Sequence, residues 1–275
     1  MILSQPSMIH LANDVSIPQL GLGVYKVTPE EVYDTVKSAL ELGYRHIDTA
    51  SFYENEEGVG QAIKDSGVPR EEIFITTKVW NNEQGYDQTL AAYERSLKKL
   101  QIDTADLYLI HWPVPGLFPE TWRALEKLYQ EGRVRAIGVS NFLVHHLEEL
   151  FQTANVKPVA NQIELHPKLM QKSTVDFCKE NNIVIQSWSP LGRARYLDDP
   201  LLKSLATKYQ KTPAQIIIKW HLQHSFIVIP KSTNPERQKE NLSVFHFELS
   251  HEDMKLIDGL DEGLRIGSHP DKITR

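Results

Sequence analysis

GYRHIDTASFYENEEGVG, residues 43–60, leads from an apolar, strand-like run into a polar loop and carries Asp48 and Tyr53 at that junction. Both side chains therefore fall at the carboxyl end of one predicted strand, which is where barrel enzymes keep their catalytic residues. An isolated Asp-x-x-x-x-Tyr is more often structural than functional. The rest of the chain has to decide between the two interpretations.

On both sides of this stretch, short apolar runs alternate with amphipathic helical stretches. Strands are predicted at residues 20–26, 44–50, 73–79, 105–111, 134–140, 159–166, 183–190 and 226–233. Helices are predicted at 29–43, 54–67, 86–101, 118–132, 143–154, 172–182, 199–210 and 234–242, with a further helix at 212–225 between the last two strands. The chain thus repeats a strand-helix unit eight times.

These eight units predict an α/β fold, a (β/α)8 TIM barrel formed by one domain over residues 1–275. The strands are mostly apolar throughout, as in a parallel sheet that is buried on both faces. The length of 275 residues also fits a barrel of about 250 residues. An open, doubly wound sheet is the alternative, but neither Gly21-Leu22-Gly23 nor Gly58-Val59-Gly60 continues as its G-x-G-x-x-G motif.

Two local features refine this prediction. The alternation of Ile9, Leu11, Val15 and Ile17 around Asn13-Asp14 predicts a β-hairpin that closes the bottom of the barrel. Thr28-Pro29 with Glu31, and Thr212-Pro213 in the same way, predict capped helix starts.

Composition excludes several classes of function. A net charge of −6 with interspersed acids and bases argues against a nucleic-acid or anionic membrane partner. The one cysteine, Cys178, cannot form an internal disulfide, no apolar run is long enough to cross a bilayer, and residues 1–10 do not read as a signal peptide. We therefore expect a cytoplasmic location.

Polar and aromatic residues collect at the predicted strand ends. Among them, Asp48, Tyr53, Lys78 and His111 make chemical sense as a group. A tyrosine with a pKa of about 10 is a weak acid, and a lysine ammonium beside it favours the phenolate. A carboxylate would hold that lysine, and a histidine would orient a carbonyl oxygen.

Seven blocks carry a resemblance to a known family: GYRHIDTASFYENEEGVG, ITTKVW, LYLIHWP, AIGVSNF, NQIELHP, WSPLG and IPKSTNPERQKEN. In this order they resemble the aldo-keto reductase superfamily, and within it the bacterial branch of 2,5-diketo-gluconic acid, glyoxal and methylglyoxal reductases. The resemblance implies a barrel that binds NADPH without a Rossmann domain and reduces small aldehydes and ketones, such as dicarbonyls, keto-sugar acids and aromatic aldehydes. It also implies that Tyr53 is the general acid, that His111 orients the carbonyl, and that Lys78, paired with Asp48, lowers the tyrosine pKa.

For the cofactor, the resemblance implies contacts from Ser140, Asn141, Gln162, Trp188, Ser189, Leu191, Lys231, Ser232, Thr233, Asn234, Arg237, Glu240 and Asn241. Ser140, Asn141 and Gln162 would bind the nicotinamide carboxamide, and Trp188 would stack on its ring. Lys231 and Arg237 would meet the 2′-phosphate, which predicts a preference for NADPH over NADH.

For the substrate, the implied contacts are Tyr25, Trp80, His111 and Trp112. The loops after His111 and Gly192 are short, so we expect an open and shallow site. A monomer is the expected state. A non-catalytic NADPH-binding module with this fold is the alternative function.

Other candidates point to no further chemistry. His221 and His224 lack the companions of a metal motif, Cys178 reads as an ordinary half-buried thiol, and the run at Gly138-Val139-Ser140 lacks the closing glycine of a hydrolase elbow. No metal site is predicted.

Overall fold

The computed structural model describes residues 7–274, and its centre is a sheet of eight parallel strands. The strands are β3 (Leu22–Gly23), β4 (His46–Asp48), β5 (Phe74–Val79), β6 (Ala105–Ile110), β7 (Val134–Ser140), β8 (Ala160–Glu164), β9 (Val184–Trp188) and β10 (Ile227–Val228). Each strand pairs with the next one along the chain. A parallel bridge between Leu20 and Val228 joins the first strand to the last, so the (β/α)8 barrel is confirmed and the open sheet is excluded.

Helices follow the strands as predicted. They are α1 (Pro29–Leu42), α2 (Glu56–Asp65), α3 (Tyr86–Leu100), α4 (Phe118–Gln130), α5 (Val144–Phe151), α6 (Lys172–Glu180), α7 (Pro200–Tyr209), α8 (Pro213–Gln223) and α9 (Pro235–Leu242). A tenth helix, α10 (His251–Asp258), was not predicted, although Ser250 caps it by accepting a hydrogen bond from the backbone N–H of Asp253.

The N-terminal hairpin is confirmed. Strands β1 (Met8–His10) and β2 (Ser16–Pro18) pair antiparallel, with Ile9 opposite Ile17. Leu11 and Ile17 are buried in one cluster with Phe74 and Ala160, the first residues of β5 and β8. The hairpin therefore lies across the amino ends of the strands and shields that end of the barrel from water. The prediction about a signal peptide at residues 1–10 falls mainly on residues outside the described range.

The strands pack on both faces, which explains their continuous apolar sequences. Every residue of β5 and of β6 is buried. Two large clusters, one including Trp122 and Trp220 and the other Tyr44 and Val36, fill the space between the sheet and the helices. Apolar side chains therefore fill the amino ends and the outer face of the barrel, while the carboxyl ends of the strands carry polar groups.

One of the two predicted helix caps was wrong. Thr212 forms a capping box: its hydroxyl accepts from Gln215 N at 3.3 Å, and Gln215 Oε1 accepts from Thr212 N at 3.0 Å. Thr28 caps no backbone N–H; its hydroxyl donates to the Glu31 carboxylate at 3.3 Å. The Thr28 hydroxyl therefore bonds the Glu31 side chain and not the backbone of the first helical turn.

Within residues 7–274, the structure contains no helix with the length and apolar character needed to span a membrane.

Candidate active site

The carboxyl ends of the strands surround one cavity of about 930 Å³. Nineteen of the twenty predicted site residues line it: Tyr25, Asp48, Tyr53, Trp80, His111, Trp112, Ser140, Asn141, Gln162, Trp188, Ser189, Leu191, Lys231, Ser232, Thr233, Asn234, Arg237, Glu240 and Asn241. The twentieth, Lys78, is 0% exposed and lies behind Tyr53. Folding has therefore brought together residues from one end of the chain to the other.

Lys78 is held by three oxygen atoms. Its ammonium donates to Asp48 Oδ1 at 2.7 Å, to the Thr49 carbonyl at 2.8 Å and to the Tyr53 hydroxyl at 3.4 Å. The other oxygen of Asp48 accepts from Gln162 Nε2 at 2.6 Å. Buried charges are tolerated only when they are paired and hydrogen-bonded, and this arrangement meets both conditions.

The expected lowering of the Tyr53 pKa is wrong in this structure. Burial, followed by the negative charge of Asp48, raises the pKa of Tyr53 well above its usual value. The Lys78 ammonium, 3.4 Å from the hydroxyl, does not reverse this net shift. Tyr53 is therefore a neutral phenol, which is the form that can donate a proton.

His111 faces Tyr53 across the cavity floor. The two ring centroids lie 5.7 Å apart, with the planes 76° from parallel. Burial, and then the charge of Lys78, lower the pKa of His111 well below its usual value. The imidazole is therefore neutral and carries one N–H, which suits it to donate a hydrogen bond without carrying charge.

A hydrogen-bonded chain continues from this floor. Asn141 donates to the His111 carbonyl at 3.0 Å and accepts from the Trp188 indole at 2.8 Å, and Ser140 donates to the Gln162 carbonyl at 2.8 Å. Asn141 adopts a positive φ of 66°, which asparagine tolerates better than most residues. Within residues 7–274 no donor reaches Gln162 Oε1, so this atom remains available to a ligand.

The far end of the cavity is cationic. Lys231 and Arg237 are both exposed and line it, and neither takes part in an ion pair formed within the described part of the chain. Helix α9 begins here, with Asn234 Oδ1 accepting from Arg237 N at 3.0 Å. Two free cations at a helix N-terminus form a site for an anionic group such as a phosphate.

Sequence reasoning missed one aromatic wall. Phe52, which precedes Tyr53, is 45% exposed and stacks on Trp80 with centroids 3.7 Å apart. Trp80 in turn contacts His111 edge-on at 4.9 Å. Phe52 lies in a short 3-10 helix, Ser51–Tyr53, which turns its side chain toward the cavity. The sequence did not predict this helix.

The C-terminal tail was also missed. Gly267, Ser268 and Ile273 line the cavity, so the tail forms one of its walls. The expectation of an open and shallow site was based on the short loops alone and did not include this wall; it stays a prediction. The sequence signal was weak because these residues carry no chemistry of their own.

The remaining candidates lie outside the cavity. Cys178 is fully buried rather than half-buried, and burial raises its pKa to about 11. His221 is buried between two backbone carbonyls, and His224 bonds Asp258 at 2.8 Å.

A group of possible metal ligands, not predicted from the sequence, is formed by His145, His146 and Asp271. His146 Nδ1 accepts from Leu143 N at 3.1 Å, so its Nε2 carries the proton and faces Asp271 Oδ1 at 3.4 Å. That atom is a donor in this arrangement, which favours a hydrogen bond to the tail over a metal ligand.

Comparisons with known proteins agree with this geometry. A model of the Aldo/keto reductase family matches residues 19–262. The chain is 53% identical to glyoxal reductase of Bacillus subtilis, over 99% of both chains, and 47% identical to methylglyoxal reductase DkgA of Salmonella typhimurium, over 98% of this chain and 99% of that one. Among solved structures, a variant of Gox0644 in complex with NADPH is 47% identical, with a TM-score of 0.95 over 99% of this chain and all of the other.

Proposed function

The chain belongs to the aldo/keto reductase family, and we propose that it reduces small aldehydes and ketones, above all dicarbonyls such as glyoxal and methylglyoxal, with NADPH. Two relatives over nearly full length bear the names of reductases of these two compounds. The cavity floor combines a proton donor with a neutral hydrogen-bond donor, as carbonyl reduction requires.

The residues present fit NADPH. The cavity runs from Tyr53 to Arg237 and is continuous, and its cationic end would take the 2′-phosphate through Lys231 and Arg237. At the other end, Gln162 Oε1 would accept from the carboxamide, and the Trp188 indole, fixed by Asn141, would stack on the nicotinamide. Bound there, NADPH supplies a hydride for the carbonyl carbon.

Residues of the chain then bind and protonate the carbonyl oxygen of the substrate. His111, neutral and buried, donates a hydrogen bond that orients the carbonyl. Tyr53 gives its proton to the oxygen as negative charge develops there. Lys78, 3.4 Å from the Tyr53 hydroxyl, stabilises the phenolate that this transfer leaves, and Asp48 keeps the ammonium charged and in place.

One observation supports this assignment most strongly. A protonated tyrosine in the cavity is backed by a fully buried lysine that is itself held by a carboxylate at 2.7 Å. A cofactor-binding module would gain nothing from a costly buried charge placed behind one phenol.

The test is the loss of NADPH absorbance with glyoxal, methylglyoxal, an aromatic aldehyde and 2,5-diketo-gluconate, for the wild type and for Tyr53→Phe. We expect turnover in the wild type and about a hundredfold or greater loss in the variant, with NADPH affinity retained because the ring stays. Near-normal turnover in the variant would remove Tyr53 from its role.

The alternative of a non-catalytic module makes the opposite prediction for the wild type. It would bind NADPH, as followed by cofactor fluorescence, and turn over none of the carbonyls. Action as a monomer, a single domain over residues 1–275 and a cytoplasmic location stay predictions.

A further inference from the structure

Glu164 is a buried charge to which the proposed reaction assigns no role. It is the last residue of β8 and is 0% exposed. A buried carboxylate is costly unless several donors compensate it. The donors around Glu164 therefore indicate what it does.

Three of these donors come from consecutive residues of the C-terminal tail, which we define as residues 265–274. Ile266 N donates to Glu164 Oε1 at 2.7 Å and Gly267 N to Oε2 at 2.9 Å, while the Arg265 guanidinium lies 3.7 Å from Oε2. His166 Nε2, from the barrel itself, lies 3.2 Å from Oε1. Although burial by itself raises the pKa of Glu164, these hydrogen bonds outweigh it and lower the pKa, so the group is a carboxylate.

Further contacts attach the start of the tail to the loop after β8. Arg265 donates to Gln171 Oε1 at 2.8 Å, and Leu264, the residue just before the tail, donates its N–H to the Lys168 carbonyl at 2.8 Å. The tail therefore begins its course over the cavity at a place set by the end of one barrel strand.

Gly267 connects this attachment to the cavity. A Cβ on Gly267 would lie 2.4 Å from Cη2 of Trp188 and 3.0 Å from Glu164 Oε2, so only glycine fits between them. The indole is thereby held between Asn141, which accepts from its N–H, and the tail backbone. Ser268, the next residue, lines the cavity.

We propose that Glu164 is a positioning residue: its carboxylate fixes the tail so that Gly267 supports the Trp188 indole and the tail forms the wall against which the carbonyl substrate binds. The reaction part of this proposal rests on the proposed function. Because Glu164 contacts neither Tyr53 nor His111, its loss should affect binding of substrate far more than the chemical step.

The first experiment uses Glu164→Gln, in which an amide NH₂ replaces one acceptor and faces a backbone N–H. The control is Glu262→Gln, whose exposed carboxylate pairs with Lys168 next to the tail. In the folded protein, trypsin should cleave after Arg265, and so release the tail peptide that begins at Ile266, about tenfold faster from Glu164→Gln than from the wild type or the control. This is the effect expected for losing a hydrogen bond to a charged group.

The same variant should raise the KM for methylglyoxal about tenfold and leave kcat nearly unchanged. Equal peptide release from Glu164→Gln and the wild type, or a lower kcat with an unchanged KM, would overturn the proposal. Peptide release needs no turnover, so it decides the role of Glu164 in holding the tail even if the proposed function fails.

A second variant covers the case in which Glu164→Gln does not fold. Gly267→Ala keeps the carboxylate but adds a methyl group against Trp188. We expect weaker NADPH binding and a higher KM for methylglyoxal. Unchanged values for both would contradict the proposed contact between tail and indole.

Discussion

Arg237 illustrates how a single exposed side chain can decide cofactor choice. Its guanidinium lines the cationic end of the cavity, and its backbone N–H, not its side chain, bonds Asn234. Removing the side chain therefore leaves the start of α9 intact. The loss should be confined to recognition of a phosphate.

We predict that Arg237→Ala raises the KM for NADPH about tenfold or more and changes that for NADH little. The measurement is steady-state kinetics with both cofactors. Lys239→Ala is the control because Lys239 is exposed on the same helix and does not line the cavity. Equal effects of Arg237→Ala on both cofactors would argue against a 2′-phosphate site here.

At the scale of the element, α1 and α8 offer a matched pair of helix starts. Each begins with Thr-Pro and has a Glu or Gln three residues after the threonine, yet only Thr212 accepts a backbone N–H. Thr212 also donates to Glu240 at 2.7 Å, which links α8 to α9.

Thr212→Ala should therefore lower the free energy of unfolding by about 1–2 kcal/mol. Thr28→Ala should lower the free energy of unfolding clearly less, because the Thr28 hydroxyl bonds only an exposed carboxylate. Urea unfolding of both variants is the measurement. Similar losses in the two would show that the cap at Thr212 contributes nothing beyond helix propensity.

At the scale of the whole molecule, buried histidines make stability depend on pH. His46, packed against Gly21 so closely that a Cβ there would lie 2.5 Å from Nδ1, has its pKa lowered by burial to about 3. Burial lowers the pKa of His221 to about 4. Both histidines bind protons more readily in the unfolded chain, where their pKa is about 6.5. The stability of the folded protein that depends on their staying neutral is therefore complete above that pH and is lost as the pH falls toward 4.

We predict that the urea concentration at the unfolding midpoint decreases when the pH is lowered from ~7.5 to ~5. Each buried histidine should lower the free energy of unfolding by about 2 kcal/mol at pH ~5. His46→Gln should flatten this slope, since a glutamine amide does not titrate. His251→Gln, at an exposed position, should leave it unchanged. A midpoint that is the same at both pH values would refute this account.

The barrel and most of the site could be predicted because their signals are local. Strands buried on both faces need continuous apolar runs, helices need a period of 3.6 residues, and parallel strands carry their terminal residues to one edge. Knowing the strand ends was therefore enough to group Asp48, Tyr53, Lys78 and His111.

Tertiary structure alone decided the rest, because those features depend on which distant groups meet. The direction of the Tyr53 pKa shift follows from burial and from the negative charge of Asp48, and no spacing in the sequence encodes the burial and distances that set it. The tail is about a hundred residues from Glu164 in the chain, and its residues became a cavity wall only when that carboxylate bonded their backbone. The sequence determined the barrel and the chemical groups at its mouth, while long-range contacts determined their protonation and the shape of the cavity around them.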